Sequence, residues 1–180
     1  MMRLAIVSFP ILEEADREWI ESVRATHDPQ AARIGVHFTL VFPAVASPLE
    51  VAAEAWAVAR SAQPIRFRIR CATSVDDVAG GGGHVFLVPD EGGAEIAALH
   101  DQLYRGVLRQ HLRADIPFTP HMTVAAGPDV ERGERLAQHL FLDRPTVHGV
   151  LRSIELVGVE KDRVASIATF VLGASGGTGG

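Results

Sequence analysis

Two matched segments restrict how this chain can fold: VHFTLVFP at residues 36–43 and PHMTVAA at residues 120–126. In each, a histidine and a threonine stand two apart within an apolar run. His37 and Thr39 alternate with Val36, Phe38, Leu40 and Phe42; His121 and Thr123 alternate with Met122 and Val124. Successive side chains along a strand point to opposite faces. As strands, the segments send Phe38 and Met122 into a core and turn both His-Thr pairs to the other face.

The order of elements around them repeats. RLAIVSF (residues 3–9) reads as a strand, and EEADREWIESVRATH as a helix with Trp19, Ile20 and Val23 on one buried face. The His37 strand follows, then a helix opened by Ser47 as N-cap, Pro48 and the capping-box Glu50. PIRFRIRCA alternates as a strand. The second half runs through the strand HVFLVP, a long helix GAEIAALHDQLYRGVLRQHL, the His121 strand and a helix in DVERGERLAQHLF. Two strands close it, one across residues 146–161 and one at VASIATFVL. Each half thus runs strand, helix, His-x-Thr strand, helix, strand, which predicts two lobes related by a pseudo-two-fold axis. Lobes facing each other about that axis bring two imidazoles and two hydroxyls to one cleft.

The 180 residues, 47% hydrophobic and 22% charged, suit one bilobal domain over residues 1–172, with the glycine-rich 173–180 as a disordered tail. No apolar run reaches the roughly 18 residues of a membrane span. MMRLAIVSFP soon meets Glu13, Glu14 and Asp16, so it reads as a first strand, not a signal peptide. The expectation is a cytoplasmic monomer away from membranes. Cys71 stands alone, without a disulfide partner or a cysteine metal cluster. A net charge of −5 lacks the basic excess of proteins that grip long nucleic acids, so a nucleic-acid substrate is expected to be short or an end.

Two histidines and two threonines facing one cleft suit phosphodiester chemistry without a metal. One neutral imidazole takes a proton from the attacking oxygen while a protonated one supplies the leaving oxygen. The hydroxyls donate to phosphate oxygens as charge builds. A single His-x-Thr on a half-exposed sheet face needs no such role; two at matching points of a repeat favour one. Arg66, Arg68 and Arg70 make a basic stripe, read either as a solvated sheet face or as an RNA-backbone contact. Phe42 and Phe118 are candidates to stack a base, although Phe42 shares the parity of the core residues. Neither His100 and His111 nor the other histidines, His84 among them, have ligand spacing, and solvent exposure is expected of them. DDVAGGGGH reads as a hairpin turn, since no Gly-Lys-Ser/Thr follows.

HFTLVFP and HMTVAAG resemble the two motifs of the 2H phosphoesterase superfamily, in its 2'-5' RNA ligase-like, RNA 2',3'-cyclic phosphodiesterase branch. The resemblance spans nearly the whole chain. It implies a bilobal α+β fold, two antiparallel sheets with flanking helices around a central cleft, and no metal or other cofactor. It implies opening of 2',3'-cyclic phosphates on RNA ends or small cyclic nucleotides to 2'-phosphates, with 2'-5' ligation as a further activity. By position, His37 matches the proton donor, His121 the proton acceptor, and Thr39 and Thr123 the phosphate-binding residues. AAGPD, after the second motif, lacks the basic residue that some relatives carry there. A catalytically idle nucleotide-binding module on the same fold is the rival reading, and a hydrolase of another cyclic phosphate or a linear 2'-5' bond is a third.

Overall fold

A computed structural model describes residues 2–77, 82–142, 146–161 and 163–174. Its strands are β1 (Arg3–Ser8), β2 (Ile11–Leu12), β3 (Phe38–Ala44), β4 (Ile65–Asp77), β5 (Gly82–Glu91), β6 (Met122–Gly127), β7 (Val147–Leu151), β8 (Ser153–Val159) and β9 (Val164–Val171). The helices are α1 (Glu14–His27), α2 (Pro48–Ser61), α3 (Gly93–Leu103) and α4 (Val130–His139).

One lobe carries the antiparallel strands β3-β1-β8-β9 and the other β6-β5-β4-β7-β2. This is the bilobal α+β arrangement expected. The two sheets meet edge to edge at one pair, Phe38 with Met122, so hydrogen bonding runs through both as one curled nine-stranded ladder. The helices exchange between lobes: α1, which follows β1, packs against β6, and α3, which follows β5, packs against β3. The pseudo-two-fold order is thereby built into the packing.

Local chemistry accounts for most boundaries. Ser47 caps α2 by accepting the Glu50 N–H, and Asp129 caps α4 by accepting the Arg132 N–H at 2.9 Å. On β4, Ile65, Phe67 and Ile69 are buried while Arg68 and Arg70 reach across to Asp90 of β5, and Arg68 also to Glu91. Much of the arginine stripe is thus neutralised by its neighbour strand. Gly92 turns β5 into α3 at φ +80°, and a side chain there would collide with the Arg66 carbonyl.

Two expectations are corrected. The long helix expected over residues 93–112 stops at Leu103, and only a 3₁₀ turn at Arg109–His111 follows. Between the two the Val107 N–H donates to the Glu54 carboxylate of α2 at 2.8 Å, and Gly106 leaves room for that carboxylate. The strand expected across 146–161 is two strands, because the chain leaves β4 for β1 at Arg152. As expected, α1 turns Ile20 into the core with Trp19 and Val23 packed against it; Asp16 and Arg24 are buried as well, and Trp19 meets Phe141 edge-on. At the tail, the Gly173 N–H donates to the Ala59 carbonyl at 2.9 Å, while 175–180 lie outside the described residues. The glycine turn also falls largely outside them, at 78–81, between strands that pair as a hairpin up to Asp77 and Gly82. Among the described residues no helix is long and apolar enough to cross a membrane.

Candidate active site

Phe38, Leu40 and Met122 are fully buried and Val124 is 1% exposed, which fixes the opposite face of both strands as the one bearing His37, Thr39, His121 and Thr123. The antiparallel pairing of Phe38 with Met122 sets each histidine toward the threonine of the other strand. Immediately after each threonine the ladder is irregular. Val7 pairs with Thr39 and Ile6 with Val41, passing over Leu40; Phe86 pairs with Thr123 and Val85 with Ala125, passing over Val124. The same bulge in both strands bends them away beyond the motif.

Between the lobes lies a cleft of about 240 Å³ lined by His37, Thr39, His84, Thr123, Arg24 and Asp28, with Val7, Val157 and Val159 as an apolar wall. His121 stands close enough for the charge of His37 to act on it. The two imidazoles are held alike. His37 Nδ1 lies 2.8 Å from the Gly35 carbonyl and His121 Nδ1 lies 2.6 Å from the Thr119 carbonyl. A carbonyl can only accept, so each Nδ1 carries the proton and each Nε2 is left for chemistry.

Burial lowers the pKa of both rings below the ordinary histidine value, against the opposing effect of those carbonyls. The charges around them differ. His37 feels the Arg24 guanidinium, which lowers it, and the Asp28 and Glu21 carboxylates, which raise it. His121 feels only the positive charges of His37 and His84, both lowering. Carboxylates thus favour the imidazolium at His37, and none does so at His121.

A buried ionic hub sets the loop before His37. Arg24, 1% exposed, donates to Asp28 at 3.0 Å, Glu21 at 2.9 Å and the Ile34 carbonyl at 2.8 Å. Glu21 also accepts the Val36 N–H, and Asp28 accepts the Gln30 N–H at 2.9 Å. Three bonds from the hub, to Gln30, Ile34 and Val36, hold the segment that presents the Gly35 carbonyl. Sequence reading passed over these residues, since an Arg-Asp pair four apart on a helix is ordinarily a surface pair.

It also passed over Phe86, which stacks on His121 with ring centroids 3.7 Å apart, and His84, which stacks on Phe86 at 5.6 Å. His84, expected to be exposed, lines the cleft, and His100 is 4% exposed. Phe42 and Phe118 lie outside the cleft and line a neighbouring cavity. Core packing expected for Phe42 does not occur, because the irregularities in the β1–β3 pairing reset its parity and leave it 40% exposed. Among the described residues no three His, Cys, Asp or Glu side chains gather as metal ligands.

The model of the 2'-5' RNA ligase superfamily matches residues 12–163. Three solved structures are similar in fold. E. coli LigT in its apo form shares 19% identity at a TM-score of 0.56, covering 95% of this chain and 97% of that one; it is also known in complex with 3'-AMP. TT0787 of Thermus thermophilus shares 20% identity at 0.63, over 96% and 98%. Kluyveromyces marxianus Usb1 shares 8% at 0.55, over 94% and 98%. By sequence, no curated protein matches the chain.

Proposed function

Since this chain belongs to the 2'-5' RNA ligase superfamily, we propose that it opens 2',3'-cyclic phosphates on RNA ends or small nucleotides to 2'-phosphates, using its own side chains without a metal. The observation that carries the reading is the mirrored pair of Nδ1–carbonyl bonds, which leaves Nε2 of each imidazole for chemistry, with Thr39 and Thr123 lining the cleft alongside His37. The complex of LigT with 3'-AMP supports a nucleotide as the class of ligand.

His121, with only cationic neighbours, is the ring that stays neutral and acts as base. Its Nε2 takes a proton from water as the water oxygen bonds to phosphorus. The bond from phosphorus to O3' breaks, and His37 Nε2 gives its proton to that oxygen. The products are a 2'-phosphate and a free 3'-hydroxyl, with the proton moved from His37 to His121; exchange with solvent resets the pair. Thr39 and Thr123 donate to the non-bridging oxygens as negative charge grows. With an RNA 5'-hydroxyl in place of water, the same steps form a 2'-5' bond.

The test is incubation with a nucleoside 2',3'-cyclic phosphate and with a short cyclic-phosphate RNA, both in EDTA, separating 2'- from 3'-phosphate products. A 2'-phosphate product supports the reading. A 3'-phosphate, or binding without turnover, overturns it and leaves the idle binding module.

A further inference from the structure

We propose that His84 of β5 binds the phosphate of the substrate as a third imidazole, donating to a non-bridging oxygen from the side of Thr123, an inference that rests on the phosphoesterase reading above. The register of β5 against β6 puts it there. Phe86 pairs with Thr123, Val85 with Ala125 and His84 with Ala126. Directly opposed residues of an antiparallel pair share a face, and His84, Thr123 and Ala126 all line the cleft. Ala126 brings only a methyl group, so the space next to Thr123 is left to the imidazole. Along the strand His84 stands roughly 7 Å from the level of Thr123, a span that an imidazole and a phosphate bridge together.

The other half of the molecule shows what packing alone places at this position. Val7 of β1 pairs with Thr39 and Ile6 with Val41, just as Phe86 pairs with Thr123 and Val85 with Ala125. One residue further back stand Ala5 and His84, both on the cleft. Ala5 is 3% exposed and packs in one apolar cluster with Val7 and Val157. The same position of the repeat therefore continues an apolar wall on one side and carries a polar ring on the other. A wall forms there without a histidine, so packing does not account for His84.

The reaction has a task for that ring. Among the described residues that line the cleft, Arg24, His37 and His84 are the side chains able to carry positive charge. Arg24 is held by Asp28, Glu21 and the Ile34 carbonyl, and His37 gives its proton to the leaving oxygen. A cyclic phosphate is already an anion, and charge grows on its non-bridging oxygens as water bonds to phosphorus. Thr39 and Thr123 meet that charge with neutral hydroxyls. An imidazole N–H adds a further donor, charge-assisted when the ring is protonated. Positive charge at His84 also lowers the pKa of His121, so the group that holds the phosphate keeps the base neutral. Ala5 and Val7 on the mirrored wall have no side-chain donor, and the phosphate is thus drawn to the β6 side of the cleft.

The experiment measures kcat/KM on a nucleoside 2',3'-cyclic phosphate and the dissociation constant of 3'-AMP for the wild type, His84→Phe and His84→Ala. His84→Phe keeps a ring to stack on Phe86, as the histidine does with centroids 5.6 Å apart, and removes both nitrogens. His84→Ala removes the ring as well, leaving the residue that the mirrored position holds. The side chain is half-buried, so both variants are expected to fold, with thermal unfolding as the control. Each is expected to lower kcat/KM and to weaken 3'-AMP binding by about 10- to 150-fold, the worth of one hydrogen bond to a charged group. If His84→Ala loses activity while His84→Phe keeps it, His84 only supports the ring of Phe86 and the proposal is overturned. Unchanged 3'-AMP affinity in both variants overturns it too, and in either case the phosphoesterase reading stands. If the wild type does not turn over the cyclic phosphate, that reading falls and 3'-AMP binding alone decides the role of His84. No binding, or equal affinity in wild type and His84→Phe, then overturns it.

Discussion

Among the described residues, Phe38 of β3 and Met122 of β6 form the one residue pair through which the ladder passes from lobe to lobe. Both side chains are fully buried, and each stands between the histidine and the threonine of its own motif. The point where the ladder crosses between the lobes is therefore also the spacer of the site.

Truncating that joint tests it. Phe38 packs edge-on against Phe67 with centroids 5.2 Å apart. Phe38→Ala is expected to cost about 3–5 kcal/mol, as for other buried phenylalanines. Met122→Leu, which conserves volume, should cost under about 1.5 kcal/mol. Denaturant unfolding measures both. A Phe38→Ala cost below about 1 kcal/mol would show that the joint is not packed as described.

The pH dependence follows from the burial of both rings. Activity rises as the base loses its proton and falls as the acid loses its own. His37 and His121 both lie below 6.5, so both limbs of kcat/KM stand on the acid side of that value and the optimum lies between them. Bound phosphate favours imidazolium, so the limbs of kcat move to higher pH. Stability has the matching sign: the unfolded chain binds more protons near pH 6, so stability is lost as pH falls from 6.5 through the folded pKa values. A kcat/KM optimum at about pH 8 or above would contradict a two-imidazole mechanism.

The hub under the His37 loop separates charge from geometry. Arg24→Met leaves the buried Asp28 carboxylate uncompensated, an expected loss of about 3–5 kcal/mol. Glu21→Gln keeps one acceptor oxygen, for either Arg24 or Val36, and removes a charge that raises His37. Its fold should survive, and the alkaline limb of kcat/KM should move to lower pH. An unmoved limb would show that Glu21 serves folding alone.

Legibility in the sequence divided by range. The His-x-Thr strands, the α2 cap and the β4 alternation announced themselves because their causes lie within a few residues. The exposure of Phe42 did not, since it depends on how β1 registers against β3, and parity counted from Phe38 misses the irregularities. His84 and Phe86 carry no local signal either; only the pairing of Phe86 with Thr123 brings them to the cleft. The split at Arg152 was hidden for a related reason: both flanking strands are apolar, and what changes is the partner strand.

The last prediction sets the histidines against the threonines. Removing His37 or His121 deletes a proton-transfer group, a loss of about 100- to 10,000-fold in turnover. Thr39→Val and Thr123→Val delete one hydrogen bond each to the developing phosphate charge, about 100- to 1,000-fold. Each histidine is half-buried and bonds through Nδ1 to a backbone carbonyl two residues before it, so alanine leaves the core untouched and folding is retained. Because the two imidazoles act on one proton cycle, the double variant should lose far less than the product of the single losses. The measurement is single-turnover cleavage of a nucleoside 2',3'-cyclic phosphate, with thermal unfolding as the control for folding. Should either alanine variant keep more than about a tenth of wild-type turnover, that histidine is neither the acid nor the base. Its motif then becomes a polar pair on a sheet face, and the chemistry must be sought at His84, the remaining imidazole that lines the cleft.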